Sequence, residues 1–287
     1  MSIPVAQACS FLFVPATHPE RLPKALASGA DMVIADWEDA VAPADKAGAR
    51  AALLQAVALL DAAQRARLLV RINAEGSPWF ADDLAALAQV MALGLAGAVV
   101  PKAEHAQTLQ TVARAAGPEA ALLPLVESVA GLAACDALAA APQVARLLFG
   151  HLDFQVDAGM ACAEDEMELL PMRMALVLAS RRAGLAAPID GVTVDTRNPE
   201  RMTDDAERAR RMGFGGKLCI HPAQVPLLHA TFDPDDVAVA QAHRVQQALR
   251  DAGGGVCVLD GRMVDAPVLR QAEQTLERHA RALRRGA

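Results

Sequence analysis

Charged and polar side chains follow almost every short apolar run in this chain. Most of them are carboxylates, which repel one another at short range unless a metal cation or an arginine offsets their charge. If the runs are neighbouring parallel strands, their ends lie together and the set predicts a cation site. The residues concerned are Asp36, Glu38, Asp39, Arg71, Asn73, Lys102, Glu127, Asp153, Asp195 and His221.

Glu127 and Asp153 are the strongest candidates for metal ligands. Mg²⁺ takes oxygen ligands and typically uses one or two carboxylates together with water and substrate oxygens. No His/Cys cluster has zinc spacing, so zinc is disfavoured, whereas Mn²⁺ suits the same oxygen-rich set. An alternative remains open for Glu127, which precedes a helix expected over residues 128–134 and is placed to cap it.

Two cations are candidates for holding an anionic substrate. Arg71 ends an apolar run, and an arginine so close to a strand core needs a carboxylate neighbour or an anionic ligand. An ion pair with Asp36 or Glu38 is therefore the competing interpretation. Lys102 has the same two interpretations, and a Schiff-base lysine is disfavoured because that chemistry needs an apolar pocket.

The elements that position these residues alternate between strand and helix. Continuous apolar runs are typical of parallel strands buried on both faces, and glycines at 29, 94 and 213 end the helical segments between them. Eight strands with no GxGxxG motif after the first favour a (β/α)8 TIM barrel over a doubly wound sheet. The predicted strands are residues 10–15, 32–36, 67–73, 98–102, 122–127, 146–153, 189–195 and 217–221.

The region after the eighth strand is longer than an eighth helix requires. A helix over 237–252, a glycine-rich turn, a short strand over 256–259 and a helix over 267–285 are expected there. We therefore predict a barrel over residues 1–228 and a helical extension over 229–287, packed on the barrel or on a neighbouring subunit.

Composition excludes several classes of protein. The apolar fraction of 53% allows a large core, and the net charge of −7 disfavours a nucleic-acid-binding surface. Five scattered cysteines without CxxC spacing are typical of a reducing compartment. Charged residues interrupt every apolar stretch, and the first ten residues lack a signal-peptide pattern. We expect a cytoplasmic protein that does not bind a membrane.

Motifs along nearly the whole chain resemble the citrate lyase β-subunit-like branch of the CoA-ester lyases, which includes malyl-CoA and citramalyl-CoA lyases. Three sequence features depart from the usual pattern of that family: Cys9, Ala16 and the His151-Leu152 pair before Asp153. The motifs that carry the resemblance are FLFVP (11–15), DWEDAV (36–41), VRIN (70–73), VPK (100–102), PLVES (124–128), FGHLD (149–153), IDGV (189–192), GKLCIHP (216–222) and DGRMVDAP (260–267).

The resemblance implies a TIM barrel in which Glu127 and Asp153 hold Mg²⁺ and Arg71 grips the substrate's oxygens. It also implies that Asp265 reaches the active site of an adjacent subunit, where it has an acid/base role, and hence a homo-oligomer, usually a trimer. The same resemblance implies that Arg21 and Lys24 meet the phosphates of coenzyme A. We further assign Asp36 and Lys102 to substrate binding, and Glu38 and Asp39 to catalysis, through a water that they hold.

The expected reaction is Mg²⁺-dependent cleavage of a short 3-hydroxy-3-carboxyacyl-CoA, such as citramalyl-, malyl- or citryl-CoA, to acetyl-CoA and a 2-oxo acid. Two alternatives stay open: a hydroxyacyl-CoA thioesterase on the same scaffold, and a CoA-free 2-oxo acid aldolase.

Overall fold

Eight short parallel strands close into one barrel in the computed structural model, which describes residues 3–286. Each strand pairs with the next, and β1 pairs with β8 to close the ring. The TIM-barrel prediction is therefore confirmed. The strands are β1 (Ser10–Pro15), β2 (Met32–Asp36), β3 (Leu68–Arg71), β4 (Gly97–Val100), β5 (Ala121–Val126), β6 (Leu148–Phe149), β7 (Ile189–Asp190) and β8 (Gly216–Cys219).

Helices surround the barrel and cover its outer face. Three single-turn 3₁₀ helices lie at Pro19–Arg21, Pro43–Asp45 and Met167–Leu169. The helices of the barrel are α1 (Leu22–Ala27), α2 (Lys46–Ala58), α3 (Ala62–Arg65), α4 (Phe80–Ala92), α5 (Ala106–Ala116), α6 (Val129–Ala133), α7 (Cys135–Ala139), α8 (His151–Asp157), α9 (Leu170–Arg182), α10 (Pro199–Met212) and α11 (Gln224–Phe232).

The strand residues alternate between two apolar cores. Met32, Ile34 and Leu69 belong to the core inside the barrel, whereas Val33 and Val70 pack outward against the helices. Since side chains alternate along a strand, Asp36 continues the inward series of β2 and Arg71 that of β3. Apolar residues on both faces explain the continuous runs in the sequence, and the period of two brings the polar ends together at the barrel mouth.

Two predicted strands are wrong in their length. The strand predicted over residues 146–153 is only β6, because the backbone turns at Gly150 and α8 begins at His151. The strand predicted over 189–195 is only β7. In both places the apolar run continues out of the strand, and periodicity alone does not separate a buried strand from the segment that follows it. Asp153 therefore lies in the first turn of a helix.

The C-terminal extension packs on its own barrel. Helix α11 runs across the expected boundary at residue 228, so the extension begins after Phe232. It comprises α12 (Asp236–Asp251), a hairpin of β9 (Cys257–Leu259) and β10 (Arg262–Val264), and α13 (Ala266–Gly286). Near the end of α13, Arg285 forms an ion pair with Asp31 at 2.8 Å and Arg281 forms one with Asp233 at 2.8 Å. These pairs fasten α13 to the amino-terminal face of the barrel, opposite the mouth.

Candidate active site

A pocket of about 420 Å³ opens at the carboxyl ends of the strands. This is the end of a TIM barrel where active sites are found. Five of the candidate residues, Asp36, Asp39, Arg71, Glu127 and Asp153, line it together with Phe13, Pro15, Ala40, Leu125, Phe149, Gly150, His151, Leu152, Val192, Leu218 and Ile220. The fold therefore brings together residues that are more than one hundred positions apart in the chain.

Arg71 and Asp36 form a two-pronged ion pair inside the mouth. They are register partners on β3 and β2. The Arg71 guanidinium donates from Nε to Asp36 Oδ1 at 2.7 Å and from Nη2 to Oδ2 at 2.6 Å. Arg71 thus forms the ion pair that was its competing interpretation. The pair belongs to the site, because Asp36 fixes the plane of the guanidinium. The planar guanidinium group matches a carboxylate in the spacing and in the direction of its two hydrogen bonds.

Glu38 and Asp39 complete the cluster around the same guanidinium. Arg71 Nη1 lies 2.8 Å from Glu38 Oε2 and 3.3 Å from Asp39 Oδ2. Burial, together with the negative charges of Asp39 and Asp36, raises the pKa of Glu38 to about 7, although Arg71 opposes the shift. Glu38 therefore has a carboxyl group that can exchange a proton near neutral pH. Asp39 lines the pocket and is largely exposed, whereas Glu38 is buried and is not part of the pocket lining.

Lys46 stabilises the loop that carries Glu38 through hydrogen bonds to its backbone. Its buried ammonium donates to the carbonyl oxygens of Trp37 at 2.8 Å and Glu38 at 2.7 Å. Asn73 Nδ2 also donates to the Trp37 carbonyl, at 3.1 Å. The candidate list did not include Lys46; a lysine nine residues after Trp37 reads from sequence as an ordinary solvated helix residue.

Glu127 is buried with one oxygen bound and the other facing the pocket. Its Oε1 accepts the backbone N–H of Lys102 at 2.7 Å, and no described residue donates to Oε2. Burial raises its pKa to about 8, and the carboxylates of Glu38 and Asp153 add to the shift. The alternative of a helix cap is wrong: Ser128 caps α6, accepting the N–H of Gly131 at 3.0 Å.

Gly150 makes room for Glu127. A Cβ atom placed on Gly150 would lie 2.6 Å from Glu127 Oε2, closer than side-chain atoms approach in proteins. Asp153 follows three residues later and is exposed at the pocket. Within residues 3–286 no hydrogen bond or ion pair occupies its carboxylate, which is therefore free for a ligand. Gly150 was missed by the sequence reasoning, and a glycine directly after a strand was the available signal.

A buried ionic network supports the turn that carries Asp153. His151 Nε2 lies 3.3 Å from Glu166 Oε1, and Glu166 Oε2 accepts from Arg173 at 2.5 Å and Arg208 at 2.9 Å. Burial alone would raise the pKa of Glu166, but His151 and Arg173 outweigh it and hold that pKa well below its usual range. Glu166 has a left-handed backbone, with φ of 51°. Nothing in the sequence singled it out.

The comparisons with known proteins agree on one family. The family model described as HpcH/HpaI aldolase/citrate lyase matches residues 9–222. The chain belongs to this family. A citrate lyase subunit beta-like protein of Deinococcus radiodurans is 36% identical over 98% of this chain and 100% of its own length. A (3S)-malyl-CoA thioesterase of Cereibacter sphaeroides is 33% identical over 93% of each chain.

A solved structure of another family member has the same fold. The CitE protein of Mycobacterium tuberculosis, in complex with magnesium, acetoacetate and coenzyme A, has a TM-score of 0.81 and 33% identity, covering 96% of this chain and 100% of that one. The fold and the family expected from the motifs are confirmed, and as a member of the aldolase/citrate lyase family the chain is a lyase-type enzyme.

The acidic pocket suits the divalent cation found in that family member. Asp36, Glu38 and Asp39 surround the Arg71 guanidinium. Burial, with a further contribution from neighbouring carboxylates, raises the pKa values of Glu38 and Glu127. Glu127 and Asp153 each present oxygen to the pocket. An all-oxygen set of this kind fits Mg²⁺ and gives zinc no nitrogen or sulfur ligand.

A second group of potential metal ligands lies on the opposite face of the barrel, where an arginine already serves as the cation. Cys9, Asp31 and His229 bring ligand atoms within 4.8 Å of one another. However, Arg285 Nε lies 2.8 Å from Asp31 Oδ1, and Arg285 Nη2 lies 3.4 Å from Cys9 Sγ. The guanidinium neutralises this cluster, which we interpret as the anchor of α13.

Besides Glu38, four of the residues assigned a role lie outside the pocket lining: Arg21, Lys24, Lys102 and Asp265. Arg21 and Lys24 are exposed near the start of α1, which follows β1 at the mouth. Lys102 is exposed, and it is its backbone N–H, at a left-handed φ of 45°, that contacts Glu127. Asp265 precedes α13, where its Oδ1 accepts the N–H of Val268 at 3.3 Å. Among the described helices, none is long and apolar enough to span a membrane.

Proposed function

We propose that this chain is a magnesium-dependent carbon–carbon lyase that cleaves a short 3-hydroxy-3-carboxyacyl-CoA to acetyl-CoA and a 2-oxo acid. The observation that carries the proposal is the pocket in which Glu127 and Asp153 present carboxylate oxygens beside the fixed guanidinium of Arg71. Citramalyl-, malyl- and citryl-CoA all have the carboxylate and hydroxyl groups that such a site would recognise.

Glu127 and Asp153 would hold Mg²⁺, with Mn²⁺ as a substitute. Bound there, the ion supplies Lewis-acid polarisation of the substrate oxygens and orients them. Arg71 would bind the substrate's free carboxylate. Asp36 keeps its guanidinium plane in place, and the second N–H of Nη2 has no partner within residues 3–286. Lys102 lies at the same rim.

The proton chemistry belongs to the acidic groups around Arg71 and to Asp265. In the cleavage direction a base takes the hydroxyl proton, the C–C bond breaks as the C=O of the 2-oxo acid forms, and the electron pair leaves on the acyl-CoA enolate. The enolate carbon then takes up a proton. We assign this transfer either to Asp265 or to water held by Asp39 and Glu38, whose pKa of about 7 suits proton exchange.

Asp265 would act in a neighbouring subunit of a homo-oligomer, for which we propose a trimer. In its own chain it caps α13 and is not among the residues that line the pocket. Val258 and Met263, register partners on the same hairpin, are exposed to 72% and 67%. An exposed apolar face next to an acid/base residue supports docking against a second copy.

The coenzyme A portion would extend over the rim near α1. Arg21 and Lys24 are exposed there and free to meet its phosphates. The five unpaired cysteines support a reducing compartment, in agreement with a cytoplasmic location.

The alternative of a hydroxyacyl-CoA thioesterase is favoured by the 33% identity to a (3S)-malyl-CoA thioesterase. Incubation with citramalyl-, malyl- and citryl-CoA, with and without Mg²⁺, separates the two when 2-oxo acid and free CoA are followed independently. A lyase yields metal-dependent 2-oxo acid and acetyl-CoA. Free CoA without 2-oxo acid would overturn the lyase proposal, and equal turnover of the acids lacking CoA would indicate an aldolase.

A further inference from the structure

The amino-terminal face of the barrel carries a second cavity, whose charge is opposite to that of the chain as a whole. It has a volume of about 390 Å³ and lies between the base of the barrel and α13. Its lining includes a single carboxylate, Glu277, and five arginines: Arg146, Arg181, Arg210, Arg278 and Arg281. Five guanidinium groups around one cavity are unexpected in a chain of net charge −7 and suggest an anionic ligand.

Arg146 is the most buried of the five and has no carboxylate partner among the residues that the structure describes. It is 1% exposed, and its Nε and Nη1 atoms donate to the carbonyl oxygens of Ala187, Val5 and Ala8. A buried guanidinium normally pairs with an anion. Here burial lowers the pKa of Arg146 to about 9, and the nearby positive charge of Arg281 adds to the effect.

Arg278 and Arg281 reach the cavity from α13. Within residues 3–286, Arg278 has no carboxylate within ion-pair distance, and its Nε atom is buried without a hydrogen-bond partner. Burial lowers its pKa, as do the charges of Arg210 and Arg281. Arg281 is 5% exposed and pairs with Asp233, but its Nε is also buried and unpaired. Neither Nε atom has an acceptor within residues 3–286, although both lie beneath the cavity surface and other atoms of the two side chains line it.

Helix dipoles explain only part of this cluster. Arg181 and Arg210 lie in the last turns of α9 and α10, where cations are favoured. Arg146 precedes a strand and Arg278 lies within α13, so neither benefits from a helix terminus. The mutual repulsion of the guanidinium groups remains, and a bound anion would relieve it.

We propose that this cavity, which we call the basal pocket, binds a compact polyanion, namely a phosphate-bearing or polycarboxylate metabolite. Guanidinium groups bind such anions through paired N–H donors. The volume falls within the range of small-molecule sites, and Phe214 and Leu185 in the lining offer apolar contact for the rest of the ligand. The basal pocket lies at the opposite end of the barrel from Glu127 and Asp153, so its ligand binds without a metal and independently of the proposed lyase site.

Titration calorimetry on the full chain, stripped of metal by a chelator and then desalted, tests the proposal, with pyrophosphate and citrate as probes at constant ionic strength. Arg210→Ala and Arg278→Ala each remove one charged hydrogen-bonding group, so each should weaken binding by about tenfold. Glu277→Gln removes the one repelling carboxylate and should tighten binding. Comparison of the two probes identifies the anion class.

Arg211→Ala is the matched control. Arg211 is adjacent to Arg210, but its guanidinium pairs with Glu207 at 2.9 Å and it does not line the basal pocket. Its replacement should change the Kd by less than about twofold, because it removes only screened surface charge. Glu127→Gln should also leave binding unchanged, which separates this pocket from the proposed active site. If neither probe binds, or if Arg210→Ala and Arg278→Ala bind like Arg211→Ala, the proposal is wrong. Arg210 is exposed, so its variant remains informative should Arg278→Ala fold poorly.

Discussion

The Glu127 carboxylate occupies the space in which a side chain at Gly150 would begin. A Cβ there would lie 2.6 Å from both Cβ and Oε2 of Glu127. The two residues stand at the ends of adjacent strands, β5 and β6, so the glycine sets how close the acidic side chain can lie to the turn that carries Asp153. The backbone at Gly150 does not itself require glycine, since its φ is −90°.

Gly150→Ala should weaken Mg²⁺ binding by at least about tenfold, because the methyl group displaces one proposed ligand while both carboxylates remain. Isothermal calorimetry measures the loss. The control is Gly48→Ala in α2, where a Cβ meets nothing within 4 Å; that change should leave Mg²⁺ binding intact and stabilise the fold by about 0.5 kcal/mol. An unchanged Mg²⁺ affinity in Gly150→Ala would contradict the assignment of Glu127.

Glu127→Gln should make the metal-free protein more stable at neutral pH while abolishing its response to Mg²⁺. The folded-state pKa of about 8 lies above the unfolded value of about 4.3. The folded state therefore binds the proton more tightly, and the wild-type protein loses stability as pH rises between those values. At pH 8 these two pKa values set an upper limit of about 5 kcal/mol on the gain in the free energy of unfolding for the variant.

Denaturant unfolding at several pH values, with and without Mg²⁺, measures this gain. Asp153→Asn is the comparison, since Asp153 is exposed and pairs with no residue in the described part of the chain. This variant should lose the Mg²⁺ response with little change in metal-free stability. Retention of a wild-type Mg²⁺ response by both variants would show that the metal site lies elsewhere.

Arg71→Lys should impair turnover even though it preserves the charge. Lysine cannot reproduce the two parallel bonds to Asp36 or lie over the Phe13 ring, whose centroid is 4.9 Å from Arg71 Cζ. We expect kcat/KM to fall by about 100-fold, or about 3 kcal/mol. Steady-state kinetics with whichever of citramalyl-, malyl- and citryl-CoA is turned over gives the value, and near-wild-type kinetics would exclude Arg71 from the site.

Glu166→Gln should destabilise the fold by about 2 kcal/mol at pH 7, since it removes the charge that His151, Arg173 and Arg208 share. The lowered folded-state pKa means that this stabilisation is present above the unfolded pKa of about 4.3 and is lost as pH falls below it. The difference between wild type and variant should therefore shrink below that pH. Urea unfolding at pH 7 and pH 3.5 measures it, and a constant difference would contradict the ionic explanation.

Co-expression of Glu127→Gln with Asp265→Asn tests whether Asp265 acts in a neighbouring subunit. Each variant alone should be inactive. Mixed oligomers should regain activity, since random assembly with one Asp265 per shared site leaves about a quarter of sites intact. Mass measurement of the assembly gives the subunit number. No recovery in verified mixed oligomers would place Asp265 outside a shared active site.

The sequence alone predicted the barrel because burial on both faces leaves a mark on every strand. Apolar runs such as 32–36 and 10–15 coincide with β2 and β1, and glycines 29, 94 and 213 all have the left-handed φ expected after a helix. Where the run continues past the strand, as at β6 and β7, apolar character no longer marks the boundary. The acidic residues at the barrel mouth could also be predicted, because they come directly after these apolar runs.

Which of these residues touch was decided only by tertiary structure. The pairing of Arg71 with Asp36 depends on the register between β3 and β2, and the placement of Glu127 depends on Gly150, which follows the neighbouring strand β6. Neither Glu166 nor the arginines of the basal pocket form a local pattern, since their partners lie on other elements. Periodicity records whether a side chain is buried, because water acts on each residue separately. It does not record contacts between distant residues, because strand register and helix docking set those distances only after the chain has folded.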